Sequence, residues 1–114
     1  MLSLPKTVRL EKDFEREALD YLNKRGDFFS WKNNNTGIYD QQAGVFRSKS
    51  LYDLKGQPDV IACKNDGTVY FLEFKKPGGR LSPDQKAFSE KLKKMNHKYF
   101  VVTTIEDVKR ALDD

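Results

Sequence analysis

Residues 56–76 read GQPDVIACKNDGTVYFLEFKK, and the fold turns on this stretch. Val60, Ile61, Ala62 and Cys63 form one apolar run. Val69, Tyr70, Phe71, Leu72 and Phe74 form another. Between them lies Lys64-Asn65-Asp66-Gly67-Thr68, a hairpin signal that a three-residue loop with Gly67 in the left-handed position would satisfy. Both runs are apolar at consecutive positions, so the sheet is expected to be covered on both faces, by helices. Closure through Asn65-Asp66-Gly67 sets Lys64 opposite Thr68, and counting outward sets Asp59 opposite Glu73. A bulge in the turn would shift this pairing by one. Directly opposite residues share a face, with Cβ atoms roughly 5 Å apart. Residues two apart on a strand also share a face, so Glu73 and Lys75 project together.

The flanking elements follow from periodicity and punctuation. Leu10, Phe14, Ala18, Tyr21 and Leu22 recur at helical spacing and predict a helix from about Val8 to Lys24, with Gly26 as its stop. Phe28, Phe29 and Trp31 suit a strand, and core packing is the expectation for Trp31. Asn33 to Gly37 read as a polar turn or loop. Residues 38–57 give little signal beyond a short strand at Gly44 to Arg47 and a turn at Gly56. Pro77, Gly78 and Gly79 end the second strand of the hairpin. Ser82 then N-caps a helix with Pro83 in its first position and Gln85 completing a capping box. That helix is expected to reach Met95 with Phe88 and Leu92 facing inward. A β-branched strand from Tyr99 to Thr104 and a closing helix from Ile105 to Leu112 complete an α/β domain on a mixed sheet.

Composition fits this picture. The 114 residues suit one domain, and 38% hydrophobic with 33% charged residues describes a globular chain with a heavily charged surface. No apolar stretch approaches the ~18 residues of a membrane span. The N-terminus, MLSLPKTVRL, lacks the apolar core of a signal peptide, and an intracellular, cytoplasmic protein is expected. The one cysteine, Cys63, excludes an intrachain disulfide and makes a structural zinc site a poor fit. The net charge is only +4, but between Lys75 and Lys98 eight basic residues face two acidic ones, Asp84 and Glu90. A one-sided basic surface attracts polyanions, nucleic acid above all.

Asp59, Glu73 and Lys75 carry the chemistry. Two carboxylates side by side at the end of a buried strand repel each other, and a divalent cation removes that penalty. Hard oxygen ligands suit Mg²⁺ or Mn²⁺. Such an ion activates water and stabilises charge on a phosphoryl oxygen, with Lys75 placed to orient the water or share that charge. An isolated E-x-K is ordinarily a surface ion pair. Here it follows a G-x-P-D and a hairpin and precedes a basic helix, and that conjunction points to phosphodiester hydrolysis. His97, the only histidine, falls in a turn and reads as a surface residue. Tyr39, Tyr52 and Trp31 are candidates for stacking on bases.

The segment from Gly56 to Phe88 resembles the core of the PD-(D/E)xK nuclease superfamily, and within it the virus-type replication-repair nuclease (VRR-NUC) domain. The matching residues are Gly56, Pro58 and Asp59; Glu73 and Lys75; Gly78 to Pro83; and Gln85. The resemblance implies a restriction-endonuclease-like fold, a central mixed β-sheet flanked by helices in the order α-β-β-β-α-β-α. It implies a single nuclease domain over residues 1–114, as in stand-alone phage and bacterial members. It also implies a metal-dependent endonuclease acting on branched DNA such as four-way junctions, as a homodimer. Asp59 and Glu73 would hold Mg²⁺ or Mn²⁺, with the Phe74 backbone carbonyl as a further ligand. A glutamate from the first helix would assist. Glu11 lies about 60° from Phe14 around the helix and Glu15 about 100°, which favours Glu11 and keeps Glu15 second. Gln85 has two readings, a capping box with Ser82 or a contact near Lys75. Lys76, Arg80, Lys86 and Asn35 are candidate DNA contacts. A monomeric flap or nicking nuclease and a non-catalytic DNA-binding module with the same fold are the alternatives.

Overall fold

The computed structural model describes residues 11–33, 38–40, 45–47 and 55–113. Helix α1 (Glu11–Lys24) leads into strand β1 (Phe28–Lys32). Two three-residue strands follow, β2 (Ile38–Asp40) and β3 (Val45–Arg47). Then come β4 (Val60–Lys64), β5 (Val69–Phe74), α2 (Pro83–Lys94), β6 (Lys98–Val102) and α3 (Ile105–Leu112). The expected first turn of α1, residues 8–10, lies outside the described residues.

The main sheet has the order β1-β4-β5-β6. β1, β4 and β5 run antiparallel, and β6 joins β5 in parallel. A parallel neighbour requires a crossover, and α2 supplies it. Strands β2 and β3 form a separate antiparallel pair. With that pair set aside, the order is the expected α-β-β-β-α-β-α. The loop between β4 and β5 closes as expected: Lys64 N–H donates to the Thr68 carbonyl at 2.8 Å, and Gly67 N–H donates to the Lys64 carbonyl at 3.0 Å. Gly67 takes φ +91°, which a side chain would resist. The ladder therefore pairs Val60 with Leu72 and Ile61 with Phe71.

One face of the sheet carries the core. Phe14, Ala18 and Leu22 of α1 and Val108 and Leu112 of α3 pack on Val60, Ala62, Tyr70, Leu72, Phe74 and Val102. Phe14 meets Phe74 edge-on, with ring centroids 5.0 Å apart. The opposite face is covered unevenly. Helix α2 reaches it beside β6, where Lys93 Nζ lies 5.6 Å from the Tyr99 ring centroid. On β1 the expectation for Trp31 fails. Phe28 and Ser30 turn inward, while Phe29 and Trp31 are 69% and 39% exposed. The expected inward pair on α2 also shifts. Ser89 is the buried residue. Phe88 and Leu92 are half-buried and line a shallow groove with Ala87, Lys91 and Met95. A small side chain at Ser89 lets the helix sit close to the sheet and leaves the larger ones at the rim.

The final strand is shorter than expected, because Thr103 and Thr104 turn the chain. Thr104 caps α3 by accepting from Asp107 N–H at 3.1 Å, and the Asp107 carboxylate accepts from both Thr103 N–H and Thr103 Oγ1. The capping box of α2 is present: Gln85 N–H donates to Ser82 Oγ at 3.2 Å, and Ser82 N–H donates to Gln85 Oε1 at 2.9 Å. Ser82→Ala removes one half of that box. It is expected to cost about 1 kcal/mol, a fall in melting temperature of roughly 4–8 °C by circular dichroism.

Candidate active site

The β4–β5 register decides where the acidic pair falls. Continuing the ladder one step past Val60 and Leu72 sets Asp59 opposite Glu73. Asp59 is held at the end of β5 by the residue after Glu73, since Phe74 N–H donates to Asp59 Oδ2 at 2.8 Å. Glu73 is fully buried. Lys75 extends β5 by one more step, its N–H donating to the Val102 carbonyl at 3.0 Å. The strand alternation therefore keeps Lys75 on the face of Glu73.

Asp59 is held from its other side by β1. Asn33 N–H donates to the Asp59 carbonyl at 2.8 Å, which extends the β1–β4 ladder past Lys32. The Asn33 side chain then donates to Gln57 Oε1 at 2.9 Å and to the Pro58 carbonyl at 3.1 Å. One residue thus fastens both flanks of the Pro58–Asp59 step. Asn33→Ala leaves these half-buried acceptors unmatched and is expected to cost about 1–2 kcal/mol, measurable as a lower urea midpoint.

A tight turn follows Lys75, with Gly79 N–H donating to the Lys76 carbonyl at 2.9 Å. A Cβ at Gly79 would press on that same carbonyl oxygen at 3.0 Å, while Lys75 Cβ and Cδ, at 3.5 and 3.7 Å, would be in ordinary contact. The second glycine of the pair therefore serves the turn itself.

Tyr99 belongs to the same group. Its phenol is raised well above its ordinary pKa, by burial first and then by the negative charges of Glu73 and Asp59, with a hydrogen-bonding interaction to Glu73. A neutral phenol thus shares the pocket with two carboxylates. The spacing of the sequence carried no sign of Tyr99, whose place depends on the parallel pairing of Phe71 with Tyr99 across α2.

The donors at this end of the sheet are carboxylate oxygens and a backbone carbonyl. A strand residue aims its N–H and C=O to the same side, so the Phe74 carbonyl faces the side of Asp59. These are hard oxygen donors, and negative charge gathered in a buried place is the environment a divalent cation relieves. Among the described residues, no three His, Cys, Asp or Glu side chains converge on one point. A cation here would take two carboxylates and complete its shell with the carbonyl and water, the habit of Mg²⁺.

Comparison with known families settles the kinship. A model of the VRR-NUC domain matches residues 41–105, more than half of the chain and all of this site except Asn33. The chain belongs to the VRR-NUC family. Membership implies a nuclease of the PD-(D/E)xK type, with DNA as substrate and a divalent metal ion as cofactor. Among solved structures, one titled "VRR_NUC domain" superposes with a TM-score of 0.66 at 21% identity, covering 90% of this chain and 94% of that one. The likeness shows the same restriction-endonuclease-like fold. No curated protein matches the chain.

The remaining candidates of this VRR-NUC domain spread around the centre. Glu11 opens α1, and its side chain lies outside the described residues. Glu15 is buried, with its carboxylate 3.4 Å from Lys32 Nζ. Lys32 pairs with Val60, so Glu15 approaches the sheet one residue from Asp59. Gln85 spends its Oε1 in the capping box, the first of its two readings. Lys76, Arg80 and Lys86 are exposed around the glycine turn and the start of α2. Asn35 lies outside the described residues, as does Tyr52. His97 is exposed, as expected, with its ring edge-on to Phe71. No helix among the described residues is long and apolar enough to cross a membrane.

Proposed function

We propose that this protein is a Mg²⁺- or Mn²⁺-dependent endodeoxyribonuclease that cuts branched DNA, such as four-way junctions, as a homodimer. The observation that carries the reading is the carboxylate of Asp59 held on the Phe74 N–H, next to the buried Glu73 and one residue before Lys75. Binding alone gains nothing from two carboxylates beside a phosphate. A hydrolase does, because the pair can hold a cation.

Asp59 and Glu73 would hold the ion, with the Phe74 carbonyl as a third ligand. When bound, the ion supplies Lewis acidity toward the scissile phosphate and lowers the pKa of a coordinated water. The protein's own part is orientation. Phe74 N–H fixes one oxygen of Asp59, and Asn33 fixes the backbone on either side of it. Lys75 Nζ holds the attacking water by a hydrogen bond and sets a positive charge beside the phosphoryl oxygens. Glu11 would add a carboxylate from α1, whereas Glu15 is drawn to Lys32 on the core face, across the sheet from Asp59. Gln85 would reach the site only by leaving its capping box. Lys76, Arg80 and Lys86 would meet the DNA backbone as point charges.

Two measurements address the substrate and the assembly. Fluorescently labelled four-way junction, flap and linear duplex are each incubated with the protein in EDTA, Mg²⁺ and Mn²⁺. Metal-dependent cutting of the junction ahead of the other two is expected. Sedimentation of the protein with a junction should give two protein chains on each junction. A monomer that cuts flaps and spares junctions would contradict the branched-dimer reading. Salt-sensitive binding with no cutting in any metal would mark a binding module.

A further inference from the structure

The catalytic face of the sheet continues onto β1. Phe29 and Trp31 project from it together, their ring centroids 5.3 Å apart and their planes at 42°. Phe29 is 69% and Trp31 39% exposed to solvent. Among the described residues, strand β1 is an edge of the main sheet. Its register fixes the direction of the two rings. Asn33 N–H bonds to the Asp59 carbonyl, so Asn33 stands opposite Asp59. Trp31 pairs with Ile61 and Phe29 with Cys63, two and four residues along from Asp59 on the same face. At the rise of a strand, Trp31 is roughly 7 Å from the row of Asp59 and Phe29 roughly 14 Å. A nucleic-acid strand with a phosphate at Asp59 has these rings on its path.

We infer that Phe29 and Trp31 form a stacking platform for unpaired nucleotides next to the cut. The inference rests on the reading of Asp59 and Glu73 as the cleavage centre. Area argues against a second copy of the chain as occupant. Rings of this size expose roughly 250 Å² together at these fractions. A stable protein interface needs about 800 Å² per partner. One or two bases need no more than the rings offer. Stacking also selects the form of the DNA. Paired bases hide their faces inside the duplex, whereas splayed nucleotides at a branch or flap present a free face to an aromatic ring. The platform therefore favours substrates with splayed nucleotides beside the scissile bond, at a branch point as at a flap, over continuous duplex.

The chain has a single tryptophan, so its emission reports on Trp31 alone. The protein is titrated in EDTA, where nothing is cut, with a twelve-nucleotide oligothymidylate, a forked duplex and a blunt duplex. Anisotropy of labelled DNA is read in parallel. The oligothymidylate and the fork are expected to quench Trp31, and the blunt duplex is not. Phe29→Ala and Trp31→Ala should each weaken binding to the oligothymidylate and the fork by about tenfold. Neither should alter binding to the blunt duplex. Trp31→Phe, which keeps a ring, should retain most of the affinity. Both rings are exposed, and a circular dichroism melt confirms that the variants fold. Single-strand affinity unchanged in both alanine variants would overturn the inference. So would an emission change that follows protein concentration without DNA, since a second copy would then occupy the rings. Binding is measured without turnover, so an inactive centre leaves this test intact. Metal-dependent cutting with no response at Trp31 would sink the platform and leave the nuclease standing.

Discussion

Glu73→Gln is expected to abolish metal-dependent cleavage while leaving the protein as stable as its parent, or more so. Glu73 is fully buried near the end of a central strand, next to the Phe74 N–H that holds Asp59. An ionised carboxylate in that place is costly, and a second carboxylate beside it adds repulsion. Glutamine has nearly the same shape and carries no charge. A neutral isostere removes both the desolvation cost of the buried charge and its repulsion with the neighbouring carboxylate. Function should move the other way. A cation loses one of its two carboxylates, and several kcal/mol of charge stabilisation go with it. That corresponds to a fall in kcat of about 10³-fold or more. The paired measurement is a thermal melt and a single-turnover cleavage rate on the same preparations. Added Mn²⁺ should raise the melting temperature of the parent and not that of Glu73→Gln, because only a bound ligand stabilises the native state. A variant that melts well below its parent would show Glu73 to be a structural residue.

Among the described glycines, Gly56→Ala should have the largest effect on stability. Gly56 sits at φ +82°, and a Cβ there would meet the carbonyl carbon and oxygen of Asp84 at 2.4 Å and the Gln85 nitrogen at 2.6 Å. All three are backbone atoms of the first turn of α2, so no side chain can swing aside. The conformational strain and the overlap together are expected to cost about 3 kcal/mol or more. The melting temperature should fall by about 10 °C or more. Gly67→Ala is the control. Gly67 also has a positive φ, but a Cβ there meets nothing within 4 Å. It should lose only the conformational part, about 1 kcal/mol. The contrast explains the glycine of the Gly56-Gln57-Pro58-Asp59 turn. It lets the chain that delivers Asp59 pass directly against the start of α2.

The acidic pair was legible because it hangs on turn chemistry. Lys64 to Thr68 admitted a three-residue loop, that loop set the register, and the register brought Asp59 to Glu73. Helix α2 was legible for a similar reason, since Ser82, Pro83 and Gln85 act within one turn. Contacts made across distant segments were not legible. Tyr99 joins the site through parallel pairing over a helical crossover, and nothing near it in sequence records that pairing. Asn33 read as loop because its partners, Gln57 and Pro58, are more than twenty residues away. Trp31 misled for a more specific reason. In Phe28-Phe29-Ser30-Trp31 the alternation offers two faces, and the more apolar one carries Phe29 and Trp31. The fold turns Phe28 and Ser30 inward instead, where Asn23 bonds both the N–H and the carbonyl of Ser30. Strand β3 (Val45–Arg47) falls within the short strand expected at Gly44 to Arg47, whereas β2, at three residues, was too short for any alternation to show.

If Asp59, Glu73 and Lys75 form one metal-dependent cleavage centre, cleavage of a labelled four-way junction depends on each of them; the comparison is of the parent protein, Asp59→Asn and Lys75→Ala, each in EDTA, Mg²⁺ and Mn²⁺. Cutting by the parent in metal alone is expected, lost in both variants while their folding and junction binding persist. Equal cutting by parent and variants, or cutting that survives EDTA, would contradict such a centre.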